Sequence, residues 1–298
     1  DPFFSLSGWL KWTLICSGLV LFFHVVKMMR AGVDRPLAVL AEKLRTNKAW
    51  LAVIALAMTL GALDLYAFMI VKPQLNVLFP FWADQVLADL DHAIFGIDPW
   101  RLFPGWDRPV IGFAYSMGWY LSLLVTFFWL ALKPPSQKKS AGLLSYFMIW
   151  SLFGPACQAL ISSAGPIFFS KVGLGDRFAA MPTANVSQFI ADYLWTLFET
   201  RSLAPGAGIS AMPSMHIATV AWLVICLLSY RSKWTLPALG FAFFIYLCSI
   251  ALGWHYASDG LVGALGAVGC YALSRRYVDW RAARRDVGTM PGDRLAQA

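Results

Sequence analysis

The stretch Leu51-Ala52-Val53-Ile54-Ala55-Leu56-Ala57-Met58-Thr59-Leu60-Gly61-Ala62-Leu63-Asp64-Leu65-Tyr66-Ala67-Phe68-Met69-Ile70-Val71 decides the fold. It carries a single charged side chain, Asp64, and is as long as the roughly 20 mostly apolar residues a helix needs to cross a bilayer. Runs of the same kind recur on both sides of it. Together they predict seven spans, at about 9–29, 49–71, 109–132, 141–164, 214–230, 234–254 and 257–274. The composition agrees: 59% of the 298 residues are hydrophobic and only 13% charged, about half the charge of a soluble domain. A single soluble core of this size could not hide so much apolar surface. The expected fold class is therefore all-α, a polytopic membrane helical bundle.

Two boundaries need a physical decision. Residues 9–26 are apolar enough for a signal peptide, but Lys27 and Arg30 follow directly with no small-residue cleavage site, which favours a retained span. The last two runs could be joined into one helix. That helix would hold some 40 residues, about twice what a bilayer accommodates, so a break is expected within Gly253-Trp254-His255-Tyr256-Ala257-Ser258-Asp259-Gly260.

Net charge is +8, and its distribution matters more than its sum. Threading seven spans puts 17 of the 24 Lys and Arg residues on one side and seven on the other. The positive-inside rule makes the first side cytoplasmic, with the amino terminus outside and the carboxyl terminus inside. Basic residues that are juxtamembrane and cytoplasmic argue against a nucleic-acid partner. The long outer segments are 72–108 and 165–212. In the first, Val86, Leu87, Leu90, Ile94 and Phe95 alternate with acidic residues at helical spacing, as in a helix lying along the membrane surface. Segment 34–48 is a basic amphipathic stretch suited to anionic headgroups. The chain divides into an N-terminal span with that segment (1–48), a six-span domain (49–276) and a basic tail expected to be disordered (277–298). Cys16, Cys157, Cys226, Cys248 and Cys270 are scattered through apolar runs without a Cys-x-x-Cys pair and read as small hydrophobes.

The chemistry concentrates on two of the four histidines. His216 falls in the first turn of the fifth span, after Pro213-Ser214, where Ser214 can cap the helix and its free amides favour an anion. His255 and Asp259 stand at i and i+4 on one helix face, so the carboxylate can hold one ring nitrogen and leave the other to attack. Topology places all of them, with Lys171 and Arg177, at the outer face. The charge count did not use the histidines.

Pro-Ser-x-His followed by His-x-x-x-Asp resembles the type 2 phosphatidic acid phosphatase superfamily of membrane lipid phosphatases and phosphotransferases. The resemblance covers roughly the last six spans. The forms Pro213-Ser214-Met215-His216 and His255-Tyr256-Ala257-Ser258-Asp259, with the stretch Asp91 to Pro99, are most similar to the branch of inositol phosphorylceramide and sphingomyelin synthases. The resemblance implies His255 as the nucleophile that takes the phosphoryl group, Asp259 as the group that orients it and stabilises its positive form, and His216 as the acid that protonates the leaving alcohol and then activates the acceptor. It implies no metal and no cofactor. It also implies a phospholipid or lipid-phosphate substrate reached from the bilayer; the charge topology puts the expected site on the periplasmic face of a bacterial-type inner membrane.

The sequence departs from the family pattern in its cations. The Ser-Arg pair expected six residues before the nucleophile is replaced by Cys248-Ser249, and the usual Lys-x6-Arg-Pro motif is missing from its place. Lys171 and Arg177 occupy about the right loop and are the expected phosphate clamp, with solvated loop charges as the plain alternative. The missing arginine moves weight towards phosphodiester headgroup transfer, but hydrolysis and transfer stay nearly balanced. Asp64, costly inside a span, reads as a hydrogen-bonded structural acid, with a functional role as the alternative. His24 and His92 read as interfacial and surface residues. Two His and one Asp suit a metal by ligand type, but no fourth ligand stands nearby. A transporter or lipid-binding protein on the same scaffold would need polar residues from face to face, whereas apart from Asp64 they cluster at one end.

Overall fold

A computed structural model describes residues 6–182 and 185–288. Among these residues there is no strand. The helices are α1 (Leu6–Arg30), α2 (Pro36–Thr46), α3 (Lys48–Leu78), α4 (Asp84–Phe95), α5 (Pro109–Leu132), α6 (Gln137–Leu160), α7 (Asn185–Glu199), α8 (Met215–Ser229), α9 (Thr235–Ala251) and α10 (Ala257–Gly288). Each apolar run is a helix, and the protein is an all-α polytopic helical bundle. Helices α1, α3, α5 and α6 are long and apolar enough to cross a membrane, while α8 and α9 are shorter apolar helices. The break between α9 and α10 covers residues 252–256 and so overlaps the Gly253–Gly260 stretch.

Three elements differ from the sequence reading. The tail expected to be disordered from 277 continues as helix to Gly288, with Arg275 donating to Asp279 at 2.9 Å one turn along. The rest of that expectation, 289–298, lies outside the described residues. Helix α3 runs seven residues past the expected end at 71, through Pro73. A proline inside a helix strands the carbonyl four residues earlier. Here that carbonyl, on Met69, accepts from Gly206 N at 2.9 Å, so the helix continues without an orphaned acceptor. Finally, the 165–212 segment contains α7, whose Phe189, Ile190 and Tyr193 are exposed and whose Leu194, Trp195 and Phe198 pack inward.

Helix α8 is the hub, packed most closely on α10 and α9, with α10 also lying along α6. Small residues bring these helices together, since association between apolar helices in lipid rests on close packing. At Gly266 of α10 an added Cβ would stand 2.0 Å from the Phe153 ring of α6. Polar side chains tie main chain across the core: Trp222 Nε1 donates to Gly142 O (2.9 Å) and Tyr146 Oη to Gly61 O (3.1 Å). Both α5 and α6 contain a widened π turn, Ala114–Gly118 and Ile149–Phe153, a device that often marks functional sites. These turns bring Tyr115 and Trp150 into the core. Helix α1 is peripheral and is anchored by buried Trp9, edge-on to Tyr120 and Phe127.

Helix α4 turns its charge inward. Asp84, Leu87, Ala88 and Asp91 are buried, while Val86, Leu90, Ile94 and Phe95 are exposed. This is the arrangement of a helix whose outer surroundings are apolar, and it brings two carboxylates to the start of α10.

Candidate active site

Two helix starts and one loop build the site. Ser214 caps α8, its Oγ accepting from Ile217 N at 3.4 Å. Ser214 N also donates to Asp259 O at 3.1 Å, stitching the start of α8 to the first turn of α10. His216 follows in the first turn of α8. Its ring stacks on Tyr115 (4.4 Å between centroids) and lies against Trp119 (4.1 Å). Some of its surface remains accessible.

His255 sits in the turn between α9 and α10 and is buried. Its Nδ1 is 2.8 Å from Ala211 O and 3.5 Å from Asp259 Oδ2. A carbonyl oxygen can only accept, so Nδ1 carries the hydrogen and Nε2 the lone pair. The main-chain carbonyl is thus the nearer holder of the ring, and Asp259 acts on the same nitrogen from farther away. Asp259 is fully buried. Its Oδ2 accepts from Tyr256 N at 2.8 Å, and its Oδ1 has no hydrogen-bond partner. The His216 and His255 rings stand 6.2 Å apart, edge to face. A crevice walled by Trp100, Pro166, Phe178, Ile250 and Tyr256 opens onto His255.

Two carboxylates not among the site residues expected from the sequence hold this end of the bundle. Asp91 accepts from Ala257 N (2.5 Å) and Ser258 N (3.0 Å), taking up free amides at the start of α10. Asp84 accepts from Ala164 N and Gly165 N, both at 2.8 Å, and from Tyr256 Oη at 2.9 Å. Burial raises both carboxyls above the ordinary range, and the main-chain donors pull them back. The signal available in the sequence is their seven-residue spacing, which puts both on one helix face. Gly165 is required where it stands: its φ is +106°, and a Cβ would lie 2.6 Å from Trp254 O.

The structure brings His216, His255, Asp259 and Ser214 together. The two loop cations are engaged by carboxylates. Arg177 donates to Asp98 Oδ1 from Nη2 (2.7 Å) and Nε (3.1 Å), to Asp89 Oδ1 from Nη1 (2.5 Å), and to Ala88 O (2.9 Å). The hydrogen bonds to Asp98 above all hold its guanidinium above the usual range. Lys171 Nζ pairs with Asp192 at 2.7 Å. Asp64 accepts a short hydrogen bond from Ser151 Oγ, as a structural acid would, although its Oδ2 is buried without a partner. His24 is exposed, and so is His92, which lies 3.4 Å from Asp98. All five cysteines are free. Among the described residues no three His, Cys, Asp or Glu side chains converge as metal ligands would.

The family model of the PAP2 superfamily matches residues 104–273, from just before α5 into α10. It takes in both histidines and Asp259, and it leaves α1 to α4 outside. No curated protein and no solved structure matches the chain.

Proposed function

The chain belongs to the PAP2 superfamily, and from that premise we propose that it is a membrane-embedded enzyme that cleaves or transfers a lipid-linked phosphate through a phosphohistidine on His255. Membership supports a phosphatase or phosphotransferase type of activity. The observation that carries the finer reading is the state of His255. Its Nδ1 hydrogen goes to Ala211 O, which leaves Nε2 as a lone pair with a second imidazole 6.2 Å away, centroid to centroid.

In the first step His255 Nε2 attacks phosphorus, a P–N bond forms and the P–O bond to the lipid alcohol breaks. Protonated His216 gives its proton to the departing oxygen. In the second step neutral His216 takes a proton from water or an acceptor alcohol, whose oxygen attacks phosphorus as the P–N bond breaks. Both histidines return to their starting protonation. Splitting one displacement into two in this way is the gain of a covalent intermediate. The positive charge that develops on the His255 ring is met by buried Asp259, whose Oδ1 is spent on no other donor. Tyr115 and Trp119 hold the His216 ring in place between their own rings.

Supporting an outer, periplasmic orientation is the distribution of Lys and Arg, which favours the opposite end of the bundle as cytoplasmic. A bacterial-type inner membrane suits that orientation. Headgroup transfer remains within the proposal, because Cys248 and Ser249 are both buried and supply no cation where the phosphatases carry an arginine.

Release of inorganic phosphate from a panel of lipid phosphates tests this reading, with His255→Ala as control. We expect release by the wild type and a loss of at least a thousandfold in a folded His255→Ala protein. Full activity in that variant would sink the mechanism. Lipid-to-lipid headgroup exchange without phosphate release, again dependent on His255, would assign the chain to the transferases.

A further inference from the structure

The inward side of α3 is a stripe of buried residues, Met58, Ala62, Leu65, Phe68 and Asn76. Lys72 stands on that stripe, one turn beyond Phe68 and one before Asn76, so its side chain enters the bundle. The stripe leads to the histidines. At Gly154, Phe68 Cε2 and Met215 Sδ approach the same point, 3.2 and 2.9 Å from where a Cβ would be. Met215 directly precedes His216, and Lys72 lies one turn outward from Phe68.

The loop covering Lys72 is fixed. Asn76 Nδ2 donates to Ile209 O, and its Oδ1 accepts from Ile209 N, both at 2.7 Å. Between these bonds and the Gly206–Met69 bond lies Gly208, where a Cβ would stand 2.7 Å from Lys72 C, Lys72 Cγ and Pro73 N. A residue without a side chain at 208 leaves the slot through which the lysine stem passes. Gln158 Nε2 closes the other side by donating to Lys72 O at 3.0 Å. Lys72 and His216 both keep part of their surface accessible.

Among the described residues the Lys72 ammonium has no carboxylate partner and no hydrogen-bond acceptor, in contrast to Lys171 and Arg177. An ionisable side chain held at membrane depth is costly unless something pairs with it. The missing counter-charge is what an anionic substrate would bring. We infer that Lys72 is the cation that binds the oxygens of the phosphoryl group being transferred, beside His216. This assignment rests on the proposed function and gives the site the phosphate anchor that the loop cations do not supply. It also brings α3, which lies outside the family match, into the site.

The test uses the purified full chain in detergent, with inorganic phosphate as the probe and chloride holding the ionic strength constant. Thermal unfolding is followed against phosphate concentration for the wild type, Lys72→Met, Lys72→Arg and Lys171→Met. We expect Lys72→Met to melt higher than the wild type without phosphate, because an unpaired charge has gone, and to need at least tenfold more phosphate for any upward shift. Lys72→Arg should keep a response, and Lys171→Met should respond like the wild type. A parallel arm measures KM for a micellar lipid phosphate, expected to rise at least tenfold in Lys72→Met. A rise in KM without a change in the phosphate response would show that Lys72 reads the lipid and not its phosphate, and would overturn the assignment. So would an unchanged phosphate response in Lys72→Met, or none in the wild type. The two proposals fail separately. Turnover that needs His255 but ignores Lys72 removes this one alone. Phosphate binding through Lys72 in a protein whose turnover ignores His255 removes the phosphohistidine reading alone.

Discussion

The carboxylates around the site fall into two groups that use their charge differently. Asp84, Asp91 and Asp259 are buried and accept mainly from main-chain N–H groups at helix starts and turns. Asp89 and Asp192 are exposed and Asp98 is buried, and these three accept from Arg177 and Lys171. The inner group fixes the backbone that carries the histidines. The outer group neutralises the loop cations. Hence the cations most visible in the sequence are already paired, and the turn that carries His255 is held in part by carboxylates on a helix more than 160 residues away in the chain.

If this division is right, substitutions should grade from the inner group outward. Asp91→Ala leaves Ala257 N and Ser258 N buried without their acceptor, which costs about 2–4 kcal/mol, and it loosens the turn holding His255. We expect a matching fall in the denaturation midpoint and at least a tenfold loss of turnover. Wild-type stability in this variant would break the comparison. Gly165→Ala strikes the turn that Asp84 caps and forces a Cβ against Trp254 O at a positive φ. A loss of about 1–3 kcal/mol is expected, checked by the same melt. Arg177→Met leaves Asp98, only 9% exposed, without its main partner and should cost about 1–2 kcal/mol.

Lys171→Met should change stability least, since its pair with Asp192 is solvent-exposed. Its signature is the pH dependence. The hydrogen bond from Lys171 holds the Asp192 carboxyl below the ordinary range, so its contribution is present above the ordinary carboxylate pKa. The contribution is lost as the pH falls through the folded value. Asp91 has the opposite sign: burial raises its carboxyl, so stability is highest below the ordinary value and declines as the pH rises through the folded one. Acid titration of unfolding in Lys171→Met and Asp91→Asn should therefore flatten opposite slopes. Slopes of the same sign would merge the two groups.

What the sequence made legible follows from how local each cause is. The seven apolar runs and the break at Gly253 to Tyr256 depend on length and on nearby residues, and they are found where expected. The extension of α3 past Pro73 depends on Gly206 reaching the Met69 carbonyl, a partner more than 130 residues along the chain. Helix α7 carries Phe189, Ile190, Tyr193, Leu194 and Leu197 at helical spacing, a signal too short and too polar in its surroundings to stand out as a span. Asp84 and Asp91 were visible as one face of an amphipathic helix. Which face turns inward is set by surroundings that the sequence of that helix does not contain. His255 and Asp259 meet, but not on one helix face: His255 stands in the turn before α10, and the nearest acceptor for its Nδ1 is a carbonyl, which leaves no mark in a sequence motif. Lys72 was hidden for the same reason, since only the packing of Gly208 and the course of α3 show where its side chain goes.

The most direct test of the central claim is to stop turnover of a lipid phosphate within its first cycle in strong base, where a phosphoimidazole survives, and to read the mass of the peptide containing His255. We predict a phosphoryl adduct on His255 that is absent from His255→Ala and disappears on brief acid treatment. A substrate turned over normally with no adduct on His255, or with the adduct on another residue, would contradict it.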